Sequence, residues 1–371
     1  MTSRFLSLIS GFCLLLLLFS CEKEDNNPSS GLEYEVPETY DFENISYDGQ
    51  LQRLSQLLEM KAYMRSANAG NVVLDADRLI AMYSNDAAKA GWVKQYDESK
   101  QLRNKTFENE QENFVTLIDE LVNASTATGT ASEGQAGIAV SNNGEKQYLL
   151  AANGIEYAQI VEKGLMGACF YYQGTAVYLG PDKMNVDNTT VEPGEGTAME
   201  HHWDESFGYL GVPRDFPFST DGVVFWGDYC NDRDALMGTN ERIMDAFIKG
   251  RAAISNDDLD TRDEAIPEVR AAWEDVVVGT ALHYLNGSID NYDDFAIRAH
   301  ALSEAVAFIY GLQFNPDKRL SNQEIQELLT NLAGSADFRQ MNLYQTSLEA
   351  ISTARDELAE AYDLMSVRED L

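Results

Sequence analysis

The sequence predicts an all-α protein, and three observations lead to this fold class. Apolar residues recur at helical spacing over most of the chain from residue 49 onward. One short stretch alone carries the pattern of a β-hairpin. The connections between helical segments are mostly short, as they are in helical bundles. We therefore expect a multi-helix domain of two packed bundles with one small hairpin excursion.

The first residues predict a segment that does not belong to the fold. An apolar run extends from Phe5 to Phe19 and ends at "LFSC", where the sequence turns abruptly polar. A run of about 15 residues is too short to span a bilayer as a permanent helix, so residues 1–20 are expected to form a cleaved signal peptide. The boundary resembles the lipobox of bacterial lipoproteins, which implies that Cys21 carries the lipid. An ordinary secretory signal with an incidental cysteine is the alternative.

Residues 21–40 follow as a polar segment with too little apolar surface to order itself, and we expect a flexible tether there. Its acidic start, "EKED", resembles the export signals of surface lipoproteins in some Gram-negative bacteria. This resemblance implies an outer-membrane lipoprotein on the outer face of the cell.

The charge balance limits the partners. The chain has 27 Lys and Arg against 61 Asp and Glu, a formal net charge of −34. Such a field repels nucleic acid and attracts cations, so DNA and RNA binding are excluded. Acidity also confers solubility, and that alone is a sufficient explanation for it.

The helical domain is expected over residues 41–371. Its first helix, from Gly49, carries Leu51, Leu54, Leu57, Leu58 and Tyr63 on one stripe. Later, "GIAVSNNGEKQYLL" places short apolar runs on both sides of Asn142-Asn143-Gly144, which is a strong hairpin signal.

A helix that is apolar on nearly all sides follows in "GIEYAQIVEKGLMGACFYYQGTAVYL" and should be buried. The polar connection after it allows a division into halves at 41–180 and 195–371. The second half begins with "HHWDE" and continues through five helical segments. Ser321 and Glu324 form a capping-box pattern before one of them.

Polar residues on apolar helices are the candidates for a functional site, because burying them unpaired costs about 1–3 kcal/mol each. His202 and Glu205 are three residues apart, and His201 and Glu205 are four apart, so either pair shares a helix face. An imidazole and a carboxylate on successive turns can bind one metal ion. Local pairing of one histidine with the other exposed is the alternative.

The same chemistry recurs at His300 and Glu304, four residues apart on a helix with hardly any polar face. His283 lies in the apolar run "VVVGTALHYL" and is either a core histidine or a further ligand. We predict that His202, Glu205, His300 and Glu304 converge on one divalent or ferric ion. Mixed imidazole and carboxylate ligands suit iron, zinc or manganese better than calcium.

A third polar group lies in the buried helix. Glu156, Gln159 and Lys163 are spaced at i, i+3 and i+7 and share one stripe. They form either an internal ion pair, with Glu162 as a second candidate carboxylate, or an outer shell that orients metal ligands.

Other chemistries are not supported by motifs. The chain lacks HExxH, HxxEH, CxxC, P-loop and GxSxG patterns, so nothing specifies a nucleophile. Cys169 and Cys230 permit a disulfide without requiring one.

Four segments together resemble an uncharacterised family of bacterial lipoproteins: "YDFENISYDGQLQRL", "NGIEYAQIVEKGLMGA", "HHWDESFGYLGVP" and "HALSEAVAFIYGL". The resemblance covers nearly the whole mature chain and implies an association with imelysin-like proteins and TonB-dependent receptors in iron uptake. Imelysin-like proteins carry a Gly-x-His-x-x-Glu motif. His202 and Glu205 match its core, but Glu200 stands where the glycine would be, so a shared metal site is an analogy only.

Three functions follow as expectations. The first is a surface lipoprotein that binds a metal ion or metal complex, iron or zinc, for an outer-membrane transporter. The second is a helical glycan- or peptide-binding lipoprotein, which exposed tryptophans such as Trp226 lining a groove would favour. The third is a metal-dependent hydrolase, which needs an open coordination position beside a pocket. The absence of a nucleophile favours a binding protein over an enzyme.

Overall fold

Helices account for most of the regular structure in the computed structural model, which describes residues 34–371. Residues 36–371 form one compact unit. The predicted signal peptide, the lipidation site Cys21 and the tether up to residue 33 lie outside the described residues. The all-α prediction is confirmed for the part of the chain that is described.

Thirteen α-helices are found in this part. They are α1 (Asp48–Arg65), α2 (Ala76–Ser84), α3 (Ala87–Ala90), α4 (Gln111–Ser125), α5 (Tyr157–Leu165), α6 (Pro181–Met184), α7 (Ala198–Gly208), α8 (Trp226–Met237), α9 (Thr239–Ser255), α10 (Leu259–Asp290), α11 (Phe295–Gly311), α12 (Asn322–Ala333) and α13 (Leu348–Ala361). Four 3₁₀ turns, Ser66–Ala69, Arg103–Lys105, Glu108–Glu110 and Leu312–Phe314, adjoin them.

The predicted hairpin is present. Strands β1 (Gly137–Val140) and β2 (Gln147–Leu150) pair antiparallel, with Val140 opposite Gln147. Gly144 has a φ of +75° in the connecting turn, a conformation that favours glycine. The glycine of the Asn-Asn-Gly sequence is therefore required here, because the turn needs a residue with positive φ.

One buried apolar cluster runs from Tyr40 to Leu371. The 32-residue helix α10 packs along both α9 and α11, and the core includes Trp273 of α10 together with Trp203 and Trp226, all fully buried. The two predicted halves thus share one core. The segment Phe295–Phe314 is long and apolar enough to cross a membrane, but 83% of its most apolar window is buried inside the protein, as in a core helix.

The buried helix α5 does not end at Leu165 but continues into two π-helical stretches, Met166–Tyr171 and Gln173–Val177. Small residues let α11 approach this segment closely at Gly167, where an added Cβ would lie 2.9 Å from the Cα of Gly311. This contact lies near the ends of α5 and α11. Near the starts of the same two helices, Glu156 contacts His300 in the first polar group.

Candidate functional sites on α5, α7 and α11

A group of ionic side chains, most of them buried, lies between α1, α5 and α11. We call it the buried charge cluster, and its members are Arg65, Glu156, Glu162, Lys163, His300 and Glu304. His300 Nδ1 lies 2.6 Å from Glu156 Oε2, and His300 Nε2 lies 3.4 Å from Glu304 Oε1. The structure therefore brings together the predicted pair on α11 and a carboxylate from the predicted outer shell.

The other half of the cluster centres on Glu162, whose side chain is 1% exposed. It pairs with Lys163 at 2.7 Å, Arg65 at 2.9 Å and Lys61 at 3.0 Å. Burial opposes ionisation of Glu162, but the three cations outweigh burial and lower its pKa to about 2. The predicted internal ion pair is thus formed by Glu162 and Lys163.

Charges in the cluster compensate one another. Burial lowers the pKa of His300, but the ion pair and hydrogen bond with Glu156 outweigh it, so the net shift is upward. The pKa of Lys163 is also raised, because Glu162 and Glu304 outweigh the effect of its burial. Gln159 Oε1 accepts a hydrogen bond from Arg65 Nη2 at 3.3 Å. A further cation would have to displace one that is already paired.

The hairpin covers the cluster. The ring of Tyr148 in β2 stacks on His300 with centroids 4.2 Å apart. Asn68 donates to Glu156 from one side and accepts from the Leu149 backbone on the other. We conclude that the contacts of this cluster hold the hairpin, α1, α5 and α11 in their relative positions.

The second group lies on α7 and is more open. A chain of contacts, which we call the α7 network, runs from Lys105 through Tyr178, Glu205 and His202 to Lys183. Lys105 Nζ lies 2.8 Å from the Tyr178 hydroxyl, which donates to Glu205 Oε1 at 3.0 Å. His202 Nδ1 lies 3.0 Å from Glu205 Oε2, and Lys183 Nζ lies 3.5 Å from His202 Nε2.

Local sequence explains why α7 presents these side chains. Thr197 and Glu200 form a capping box that fixes the first turn. From that start, His201, His202 and Glu205 fall on one face at i, i+1 and i+4, and their side chains are 27%, 17% and 17% exposed. His201 Nε2 lies 3.8 Å from Glu205 Oε2, whereas its buried Nδ1 has no hydrogen-bond partner in the described part of the chain.

Positive charge dominates the α7 network. Burial opposes ionisation of Glu205, but hydrogen bonds from His202, Gln50 and Tyr178 outweigh it and lower its pKa to about 2. Burial and then nearby Arg53 lower the pKa of Lys105. Within residues 34–371 neither Lys105 nor Lys183 has a carboxylate partner within 4 Å. Unpaired lysines are notable in a chain with a net charge of −34.

The two groups lie far apart, and helix α1 gives the first measure. Gln50, near its start, donates to Glu205, and Arg65, at its end, pairs with Glu162. At ~1.5 Å per residue these two positions are about 22 Å apart along the axis.

The helix that begins at α5 gives a second measure. Glu156 precedes it and contacts His300, and Tyr178 follows it and contacts Glu205. The separation is roughly 30 Å. The prediction that His202, Glu205, His300 and Glu304 converge on one ion is therefore wrong, because the two groups lie near opposite ends of α1 and of the helix that begins at α5. Residues 34–371 contain no group of three or more His, Cys, Asp and Glu arranged to hold a metal ion.

His283 also differs from expectation. It is exposed on α10, and its ring packs edge-on against Tyr284 at 5.1 Å. The apolar residues around it in sequence lie on the other faces of the helix. Whether either group binds a metal stays a prediction.

Sequence reasoning missed Lys105, Lys183, Tyr178 and Gln50, since they come from four separate segments. It also missed the buried Arg251, which pairs with Asp204 at 2.9 Å and Glu200 at 2.6 Å. An arginine within the apolar segment "FIKGRAAI" was the available signal for that pairing.

The chain matches the family described as "Domain of unknown function (DUF4856)" over residues 37–365. It belongs to this family. The match begins at residue 37, within the last residues of the predicted tether, and takes in both the buried charge cluster and the α7 network, so both lie inside the matched region of this chain. Neither a curated protein nor a solved structure matches the chain significantly.

Proposed function

We propose that this DUF4856 protein is a lipid-anchored binding protein of the cell surface that takes an anionic metal complex at the α7 network. The observation that carries the proposal is the pair of unpaired ammonium groups, Lys105 and Lys183, at the two ends of one partly exposed hydrogen-bonded chain. Ammonium groups without a carboxylate partner attract carboxylates and phosphates.

The geometry favours a complex over a bare ion. An ammonium group only donates, so Lys183 leaves His202 Nε2 as the acceptor, and Nδ1 carries the proton toward Glu205. Both nitrogens of His202 are then occupied, and a bare cation would also meet the charge of Lys183. An anionic chelate avoids this repulsion, and His201 Nε2 is near enough to Glu205 to join the same surface.

Binding is a better account than catalysis. The two described thiols, Cys169 and Cys230, are free and buried, and burial raises the pKa of each to about 12, so neither is a nucleophile at neutral pH. The protein would hold its ligand and release it to another component. The resemblance to lipoproteins of iron-uptake gene sets supports a TonB-dependent transporter or an imelysin-like protein as that component.

Calorimetric titration of the chain from residue 21, carrying Cys21→Ser, tests the proposal. The ligands are iron(III) citrate, citrate without metal, and zinc chloride. We expect binding of the iron complex at one site per chain, with weaker binding of free citrate and none of zinc. Equal binding of iron(III) citrate to this form and to the same form with His202→Ala would remove the α7 network from the account.

A further inference from the structure

A cavity of about 380 Å³ lies away from both groups, between the start of α4, the end of α11 and helix α12. No residue of the buried charge cluster or the α7 network lines it. Its volume is at the small end of the range of about 300–1,000 Å³ typical of ligand sites.

Amide side chains dominate the polar lining. They come from three parts of the fold: Asn109, Asn113, Gln313, Asn322 and Gln326. Each primary amide offers two donors and one acceptor oxygen in fixed directions. A hydroxyl group likewise both donates and accepts, so a ring of amides matches a ligand with several hydroxyls.

The wall between the amides is aromatic and apolar. Tyr310 and Phe338 meet edge to face with centroids 5.0 Å apart, and Ile325 and Leu329 complete this side. A surface that is apolar on one side and rich in amides on the other suits a molecule whose own faces differ in the same way, as those of a pyranose ring do.

The charges at the cavity are already satisfied. Arg339 forms two hydrogen bonds with Asp337, at 3.0 and 2.9 Å, and Asn113 donates to Glu110 at 2.7 Å. The single arginine is therefore engaged, and the two carboxylates repel anions. This arrangement selects against anionic ligands.

One polar atom lacks a partner. Tyr310 is 7% exposed and lines the cavity, and its hydroxyl has no hydrogen bond of good geometry in the described part of the chain, although Glu110 and Asn113 lie beside it. A buried hydroxyl without a partner is costly, and a ligand hydroxyl would satisfy it.

We propose that this cavity binds a neutral sugar, as a monosaccharide or the end of a glycan. The proposal goes beyond the anionic complex at the α7 network and does not depend on it. Trp226, which the sequence suggested for a glycan groove, is fully buried and takes no part. The aromatic wall is supplied by Tyr310 and Phe338 instead.

The test uses saturation-transfer NMR on the chain from residue 21 with Cys21→Ser, in the presence of glucose, galactose, mannose and N-acetylglucosamine at millimolar concentration. We expect at least one sugar to bind and a second sugar to compete with it. Tyr310→Phe should weaken binding about fivefold to tenfold, the usual effect of losing one hydrogen bond. Asn113→Ala should weaken it as well.

Tyr83→Phe is the matched control, because Tyr83 is buried, its hydroxyl also lacks a partner, and it does not line the cavity. Its binding should equal that of the wild type. If no sugar gives a signal, or if Tyr310→Phe binds as tightly as Tyr83→Phe, the proposal is overturned. Neither result bears on the binding of iron(III) citrate.

Discussion

His300 Nδ1 lies 2.6 Å from Glu156 Oε2, which joins helix α11 to the residue that precedes α5. The two residues are separated by more than a third of the chain, and Glu156 is fully buried. The contact therefore ties α11 to α5 and fixes their relative position along the helix axes, which apolar packing alone would not do.

The first prediction follows from the protonation of His300. Its pKa is raised in the folded state, since Glu156 outweighs the effect of burial. Its charge thus stabilises the fold fully below the unfolded pKa of about 6.5, and this stabilisation is lost as the pH rises through the folded pKa. We expect His300→Gln to destabilise the protein more at pH 6 than at pH 9, as measured by urea unfolding.

His283 serves as a control, because its pKa is shifted in the opposite direction to that of His300. Its ring is exposed, but protein packed against one side of it removes part of its hydration, and this effect, followed by the charge of Arg233, lowers its pKa. Its contribution to stability is therefore present above the unfolded pKa and is lost as the pH falls. His283→Gln should therefore cost no more at pH 6 than at pH 9. If both variants respond to pH alike, His300 is not charged by Glu156.

Lys163 carries the second prediction. Replacing it with methionine leaves Glu162 and Glu304 with less compensating charge in a buried setting. Breaking a buried ion pair costs about 3–5 kcal/mol. Lys249→Met, which breaks a more exposed pair with Glu268, should cost about 0–1 kcal/mol. Equal losses of unfolding free energy would contradict the placement of Lys163 in the interior.

Close packing on α9 gives the third prediction. An added Cβ at Gly250 would lie 2.0 Å from Trp203 Cζ2, so Gly250→Ala should destabilise by about 1–3 kcal/mol or more. At Gly287 in α10 the only close atom is 3.9 Å away, and alanine there should stabilise by about 0.5–1 kcal/mol through helix propensity. Thermal unfolding of both variants checks the two signs.

The thiols supply the fourth prediction. Cys169 and Cys230 are buried, unpaired and have a pKa near 12. In the Cys21→Ser chain without its signal peptide, a thiol reagent at pH 8 should label neither in the folded state and both after unfolding without reductant. Labelling of neither after unfolding would show a disulfide instead.

Local features of the fold were readable from the sequence. Two local features could be predicted because residues close in sequence form them. They are the capping box at Ser321 and Glu324 and the Asn-Asn-Gly turn. The pairs His202–Glu205 and His300–Glu304 also form as their helical spacing predicts.

The arrangement of helices was not readable to the same degree. Periodicity shows which face of a helix is apolar, but it does not show which neighbour covers that face. The sequence therefore gave no sign that Glu156 pairs with His300, or that Gln50 reaches Glu205. Because the buried charge cluster and the α7 network lie at opposite ends of α1, two correct local pairs were wrongly combined into one site.

The most direct test of the proposed function is equilibrium dialysis of iron(III) citrate against three forms of the Cys21→Ser chain from residue 21: no further change, Lys183→Gln and Lys146→Gln. Lys146 is an exposed hairpin lysine and serves as the charge-matched control. We expect Lys183→Gln to weaken binding about tenfold or more, in line with the loss of one charged hydrogen bond, while Lys146→Gln binds like the unchanged form. Equal binding by all three forms, or none by any, would contradict a binding site for an anionic metal complex at the α7 network.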